Sequence, residues 1–137
     1  MDNPKSDPTS LAHRLAQQLP ESAQQASDLK RRAGALTCDW ALVIGTVPFL
    51  MRHVDGTLLS STQGPHLMRA WAFAISAPAE AWLAHWARVP APGDHDIFAL
   101  SKTGRLTIEG NLHPLMSRLQ VFKDTLALPR TMPEMQP

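Results

Sequence analysis

Residues 40–62, WALVIGTVPFLMRHVDGTLLSST, contain three short segments separated by two turn signals. Residues 40–44 are apolar and rich in β-forming side chains, and Gly45-Thr46 follows them. Residues 49–54 lead into Asp55-Gly56, a pair typical of two-residue β-hairpin turns, and residues 57–62 return after it. This pattern predicts three consecutive strands joined by tight turns.

Residues 66–76 predict a fourth and longest strand. One face of it would carry the larger side chains, which are those of Leu67, Arg69, Trp71, Phe73 and Ile75. The opposite face would carry mostly small ones, three of them alanines. Large apolar groups on one side predict a sheet with one face covered by a helical layer.

Helical patterns lie on both sides of these strands. Residues 9–34 predict two N-terminal helices with a boundary at Pro20, since proline suits a first turn and not a helix interior. Downstream, a helix is expected from Pro78, then a short helix, a fifth strand over 105–109, and a final helix that Asn111 caps. We therefore expect an α+β fold, with a five-stranded, mostly antiparallel sheet and helices covering one face.

The proline-rich ends of the chain differ from the part between them. Five of the twelve prolines fall near the two ends, so we expect disordered tails over residues 1–8 and 129–137. Residues 9–34 would form the N-terminal helices, and residues 35–128 the main domain.

Charge and composition exclude several classes of function. The 137 residues include 13 Lys or Arg and 12 Asp or Glu, a net charge of +1 that provides no electrostatic footprint for nucleic acid. No apolar segment approaches the roughly 20 residues of a membrane span, so stable membrane insertion is not expected. The single cysteine cannot form an internal disulfide and the first ten residues are polar, which favours the cytoplasm.

Motifs for catalysis, metals and cofactors are missing from the sequence. The six histidines have no metal-ligand spacing, and no nucleophile elbow, phosphate loop or dinucleotide fingerprint occurs. We expect no metal, no cofactor and no catalytic residue. Asp94-His95-Asp96 is either a carboxylate-oriented imidazole or a helix cap, which leaves a small enzyme using His95 or His85 as an alternative.

Two stretches resemble the SCP2-like (sterol carrier protein type 2) family. Residues 104–111, GRLTIEGN, are similar to its G-x-L-x-I-x-G-D/N signature. Residues 74–83, AISAPAEAWL, resemble its segment of apolar strand, serine, and helix with a Trp-Leu pair. The resemblance covers residues 35–128, and it extends to small single-domain bacterial members.

The resemblance implies a five-stranded sheet with helices on one side and an apolar tunnel between the layers. It implies a non-enzymatic binder of a hydrophobic small molecule: a lipid, a fatty acyl chain, a sterol-like compound or an isoprenoid. The side chains that would line this tunnel are Trp71, Phe73, Ile75, Trp82, Trp86, Phe98, Leu112, Met116, Leu119 and Phe122. A protein-interaction or homodimerisation module, acting as an accessory factor in lipid or quinone biosynthesis, is the alternative.

Overall fold

The computed structural model describes residues 7–64 and 70–135. Predictions for residues 1–6, 66–69 and 136–137 therefore lie outside the described residues. The elements in chain order are α1 (Pro8–Gln25), α2 (Ser27–Ala33), β1 (Cys38–Ile44), β2 (Val47–Val54), β3 (Thr57–Gln63), β4 (Phe73–Ala77), α3 (Ala79–His85), α4 (Ile97–Lys102), β5 (Thr107–Gly110), α5 (His113–Ser117) and α6 (Leu119–Ala127). Two 3-10 turns, Leu128–Thr131 and Pro133–Met135, follow α6.

The five strands form one mixed sheet in the order β3-β2-β1-β4-β5. Neighbours are antiparallel except β1 and β4, which are parallel. Asp55 and Gly56 form the two-residue turn between β2 and β3, and both have positive φ, as an Asp-Gly hairpin turn requires. The predicted α+β class and mostly antiparallel five-stranded sheet are confirmed.

One face of the sheet forms the core with the helices packed on it. Trp40, Phe49 and Phe73 project from β1, β2 and β4 and are fully buried. Alternate residues of a strand point to the same face, so Leu42, Ile44, Met51 and Ile75 join them in the same cluster. The helices cover this face with Leu15 and Leu19 of α1, Trp82 of α3, and Phe122 and Leu126 of α6.

The predicted helix boundary at Pro20 is wrong, because α1 continues through that proline to Gln25. Pro20 is buried, on the same side of α1 as the fully buried Leu15, Ala16 and Leu19. An interior proline costs about 3 kcal/mol. Burying each leucine contributes about 1.5–3 kcal/mol, so packing on the sheet outweighs the lost hydrogen bond. The break between α1 and α2 occurs at Ala26 instead.

The fourth strand is shorter than its alternating pattern predicts. β4 begins at Phe73, opposite Gly110 of β5, and the preceding Ala70 and Trp71 are not in a strand. The alternation of large and small side chains extends upstream of Phe73 in the sequence. Strand β4, however, pairs with β5 over only four residues. β4 ends before Pro78, which has no N–H to donate to a ladder.

The final helix is divided, and the chain after it is structured. Arg118 has non-helical φ and ψ of −133° and 40° and separates α5 from α6, where one helix was expected. Residues 128–135, most of which were assigned to a disordered tail, form the two 3-10 turns, and Met132 is buried against the core.

Within residues 7–64 and 70–135, no helix has both the length and the apolar character needed to cross a bilayer.

Candidate functional site

Three aromatic side chains meet at the centre of the core. The rings of Trp40 and Phe73 are stacked with centroids 5.7 Å apart. The ring of Phe122 from α6 packs edge-on against both, at 5.5 Å from Trp40 and 5.3 Å from Phe73. Edge-to-face and offset stacks are the favourable geometries of such pairs. This aromatic cluster, Trp40-Phe73-Phe122, therefore joins β1, β4 and α6 through one set of contacts.

A buried histidine lies beside the aromatic cluster. His53 of β2 is 3% exposed, and its ring centroid is 5.5 Å from that of Phe122. Trp40 Nε1 donates a 3.0 Å hydrogen bond to His53 Nδ1. Because an indole N–H can only donate, Nδ1 must accept, and the ring proton of the neutral imidazole is on Nε2. Burial lowers the pKa of His53 to about 4, so the ring is neutral near pH 7.

An apolar cavity of about 230 Å³ opens between the β2–β3 hairpin and the helices above it. We call it the hairpin cavity. Its inner wall is deeply buried, since His53, Leu58 and Thr125 are at most 3% exposed. Side chains from three helices complete it, and these are Ala23, Gln24, Leu29, Lys30 and Val121. The cavity therefore reaches from the helix surface to the edge of the aromatic cluster.

Gly56 sets how closely the hairpin approaches α2. Its N–H donates a 2.8 Å hydrogen bond to the carbonyl of Leu36. A Cβ at this position would lie 2.3 Å from the carbonyl oxygen of Gly34, and φ is +84°. Glycine alone fits both the close contact and the backbone conformation. The Asp55-Gly56 turn thus fixes the hairpin as one wall of the cavity.

Two polar side chains of the cavity wall already have partners. Gln24 Nε2 donates to the Leu58 carbonyl at 2.8 Å. Thr125 Oγ1 donates to the Val121 carbonyl at 2.7 Å within α6. Hydroxyl and amide groups bonded to main chain present less unsatisfied polarity to a ligand. The inner wall is therefore predominantly apolar, with the His53 imidazole as its polar exception among these groups.

His53 also borders a second, wider cavity of about 530 Å³ at the ends of β1 and β2. We call it the strand-end cavity. Cys38, Val54, Ala72 and Pro114 line it together with His53, and burial raises the pKa of the Cys38 thiol to about 11. Arg52 and Asp39 also line it, and they form a two-pronged ion pair at 3.0 and 3.1 Å. His53 thus borders two cavities.

Half of the residues predicted to line a tunnel pack against one another in the core. Phe73 and Phe122 belong to the aromatic cluster, and Ile75 is fully buried beside them in the core. Trp82 and Trp86 form a separate stacked pair with centroids 5.2 Å apart. The indole N–H of each donates to a carbonyl, that of Val43 for Trp82 and that of Leu126 for Trp86.

The other predicted residues lie nearer the surface. Phe98 and Leu119 are half-buried against the core, and Trp71 is half-exposed before β4. Leu112, the N-cap residue of α5, is 37% exposed, and Met116 within α5 is 55% exposed. None of the ten predicted residues lines the hairpin cavity or the strand-end cavity.

The two histidines considered for catalysis lie at a third cavity, of about 220 Å³. His85 is buried, and its Nδ1 is 2.9 Å from the Asp94 carbonyl and 3.2 Å from Arg130 Nη2. Burial lowers the pKa of His85. His95 is exposed and accepts from Arg130 through its own carbonyl, while Asp96 caps α4 by accepting from the Phe98 N–H at 3.0 Å. The Asp94-His95-Asp96 stretch thus contributes a helix cap.

The residues that form the hairpin cavity were not selected from the sequence. His53 was detectable, because it follows Phe49 and Met51 at intervals of two and therefore lies on the buried face of β2. A buried imidazole needs a hydrogen-bond partner, which points to a nearby indole or hydroxyl. Val121 and Thr125 had no such signal, since their role depends on how α6 sits over the hairpin.

Comparison with solved structures identifies the fold, whereas no protein-family model and no curated protein matches the sequence. A crystal structure of sterol carrier protein 2 superposes with a TM-score of 0.68 and 14% identity, over 87% of this chain and 95% of that one. A Thermus thermophilus protein described as a possible sterol carrier protein has a TM-score of 0.61 and 13% identity, over 90% and 91%. Sterol carrier protein domain 2 of Helicoverpa armigera gives 0.57 and 11%, over 92% and 93%. The chain therefore has the SCP2-like fold, as the resemblance of residues 104–111 predicts.

Proposed function

We propose that this protein binds a small hydrophobic ligand without transforming it, and that the hairpin cavity is part of the binding site. The observation that carries the proposal is the continuity of this cavity with the protein interior, at His53, Leu58 and Thr125. Its walls are mainly apolar, and Gln24 and Thr125 each donate a hydrogen bond to a carbonyl of the protein itself. The structural likeness to sterol carrier proteins supports the same class of ligand.

The size of the hairpin cavity limits what it can hold. An apolar cavity of about 150 Å³ binds benzene, so about 230 Å³ accommodates a ring or a short hydrocarbon segment. About six buried methylenes would contribute about 5 kcal/mol before the costs of association. A longer chain would extend beyond this cavity. The strand-end cavity, which His53 also borders, offers additional space.

The state of His53 argues for binding rather than proton transfer. A general base needs an accessible lone pair on a ring nitrogen. The Nδ1 lone pair of His53 accepts from Trp40, and Nε2 carries the proton. With a pKa lowered to about 4, the ring has little affinity for a further proton near neutral pH. His53 is thus suited to contact a ligand and not to activate one.

Direct detection of a bound molecule tests the proposal. The purified chain would be analysed by native mass spectrometry, then stripped by organic extraction, refolded and titrated with the fluorescent fatty acid 11-dansylaminoundecanoic acid. We expect a co-purifying apolar molecule or saturable binding of the probe at one site. Absence of both, with the refolded protein giving the same circular dichroism as the original, would overturn the proposal.

A second role is favoured by exposed apolar residues on α5. Leu112 and Met116 are one helical turn apart and both exposed, so the pair could form part of a homodimer contact. Sedimentation equilibrium of the wild type and Met116→Lys would test this. A dimer that Met116→Lys dissociates supports the role, and a wild-type monomer at all concentrations excludes it.

A further inference from the structure

His53 occupies a core position where an apolar side chain would be buried at a lower cost in free energy. It lies on the buried face of β2, two residues after Met51, and it contacts the ring of Phe122. Burying an imidazole requires hydrogen bonds for its two nitrogens. Trp40 satisfies Nδ1 at 3.0 Å, and this single bond fixes the tautomer with the proton on Nε2.

The second nitrogen has no partner in the described part of the protein. Among residues 7–64 and 70–135 the one hydrogen bond found for the His53 ring is that at Nδ1, and Nε2 is not among the fully buried unpaired atoms, so it remains accessible to a ligand. The same side chain borders both the hairpin cavity and the strand-end cavity. A fixed N–H donor beside two cavities is a recognition element for an oxygen acceptor that enters either of them.

The neighbouring polar groups are less suited to this role. Thr125 donates its hydroxyl hydrogen to a main-chain carbonyl, whereas Gln24 donates one amide hydrogen to a carbonyl and is itself exposed. Arg52 is held by both carboxylate oxygens of Asp39. Lys30 lines the hairpin cavity but is exposed, so its ammonium is well hydrated. His53 alone among these side chains combines burial, a fixed tautomer and an unused donor.

We propose that His53 is a specificity-determining residue, whose Nε2–H donates a hydrogen bond to a carbonyl, ester or carboxylate oxygen of the ligand. This inference rests on the proposed function, since it assigns one contact within the same site. It selects amphipathic ligands with an oxygen acceptor next to a hydrocarbon portion. Pure hydrocarbons of the same shape bind less well, because they cover the N–H without offering it an acceptor.

A pair of isosteric probes separates the hydrogen bond from apolar contact. para-Methylacetophenone has a carbonyl where para-isopropyltoluene has a CH group and a methyl, and both match the size of the hairpin cavity. Their dissociation constants would be measured by displacement of 1-anilinonaphthalene-8-sulfonate. The wild type, His53→Phe and His53→Gln would be compared. The two probes differ in solvation, but this difference is the same for every variant. A change between variants in the ratio of the two dissociation constants therefore reports on the protein.

We expect His53→Phe to reduce the preference for the ketone about five-fold, the equivalent of one ordinary hydrogen bond, with the hydrocarbon nearly unaffected. Glutamine retains both an acceptor for Trp40 and an N–H donor, so His53→Gln should retain the preference. An unchanged ratio in His53→Phe would overturn the role of His53 and leave the proposed function standing. Failure of the wild type to bind either probe would overturn the proposed function itself.

His53→Phe leaves the Trp40 N–H buried without an acceptor, so a measurement on the wild type keeps the proposal testable if that variant does not fold. In protein with 15N-labelled histidine, the ketone should shift the Nε2 resonance of His53 and the hydrocarbon should not. Equal shifts with the two probes would overturn the hydrogen bond.

Discussion

Trp40 Nε1 donates to His53 Nδ1 at 3.0 Å, which joins two side chains of neighbouring strands inside the core. The Cα partner of Trp40 is Met51, and His53 lies two residues further along β2 on the same face. This bond holds the imidazole against Phe122 and sets which nitrogen faces away from the indole. The stability of the core and the chemistry of the site therefore depend on the same pair.

The Trp40–His53 pair should show energetic coupling. Trp40→Phe leaves Nδ1 of a buried imidazole unpaired and should destabilise the protein by about 1–3 kcal/mol. In a double-mutant cycle with His53→Phe, urea unfolding should give a coupling of about 1 kcal/mol. The matched cycle pairs His53→Phe with Trp82→Phe, whose N–H bonds Val43 instead. Equal coupling in both cycles would contradict the assignment.

Acid should destabilise the protein through His53. Burial lowers its pKa from 6.5 to about 4 in the folded state, so between these values the unfolded chain binds more protons. Stability is then fully present above pH 6.5 and is lost as the pH falls toward 4, by about 3 kcal/mol from this residue. Urea unfolding of His53→Gln should show a correspondingly smaller loss between about pH 7.5 and 4.5.

The exposed His113 provides the control for this pH experiment. His113→Gln makes the same substitution at a histidine outside the core. If His53→Gln and His113→Gln both lose stability as the wild type does, His53 is not the titrating group.

Filling the hairpin cavity should weaken ligand binding. Val121 lines the cavity and is buried, so Val121→Phe places an aromatic ring in its space. We expect at least about ten-fold weaker binding of 11-dansylaminoundecanoic acid, from lost volume and the usual cost of overpacking. Val89→Phe makes the same substitution at a position that is 84% exposed and should bind as the wild type. Unchanged binding by a folded Val121→Phe would place the ligand elsewhere.

The two hairpin turns should respond differently to alanine. Gly45 and Gly56 both have positive φ, but a Cβ meets nothing within 4 Å at Gly45 and lies 2.3 Å from the Gly34 carbonyl oxygen at Gly56. Gly45→Ala should cost about 1 kcal/mol from backbone conformation. Gly56→Ala should cost about 2 kcal/mol more, since the hairpin must move away from α2. Equal unfolding midpoints in denaturant would show that this contact is unimportant.

The sequence predicts the sheet better than the site, for physical reasons. Asp55-Gly56 and the alternation through Phe49, Met51 and His53 are local signals, so the hairpin follows from short-range rules. The parallel pairing of β1 with β4 depends on partners more than 30 residues apart and has no local signature. The path of α1 through Pro20 likewise depends on tertiary burial.

The predicted tunnel residues show the same limit. Phe73, Ile75, Trp82, Trp86 and Phe122 were selected as large apolar residues on inward faces, and all five are buried. Periodicity predicts which face of an element is buried. It does not predict whether the side chains on that face pack against one another or line a cavity. Leu112 and Met116 are exposed although they fit the same apolar stripe, and no proline or glycine in the sequence marks the break at Arg118 that divides the predicted helix.

The most direct test of ligand binding at the hairpin cavity is a titration of 15N-labelled protein with dodecanoic acid, followed by amide chemical shifts. The proposed site predicts saturable shifts concentrated at Leu58, Val121 and Thr125, with Val89 unaffected. No saturable shift, or shifts confined to residues remote from the β2–β3 hairpin and α6, would contradict it.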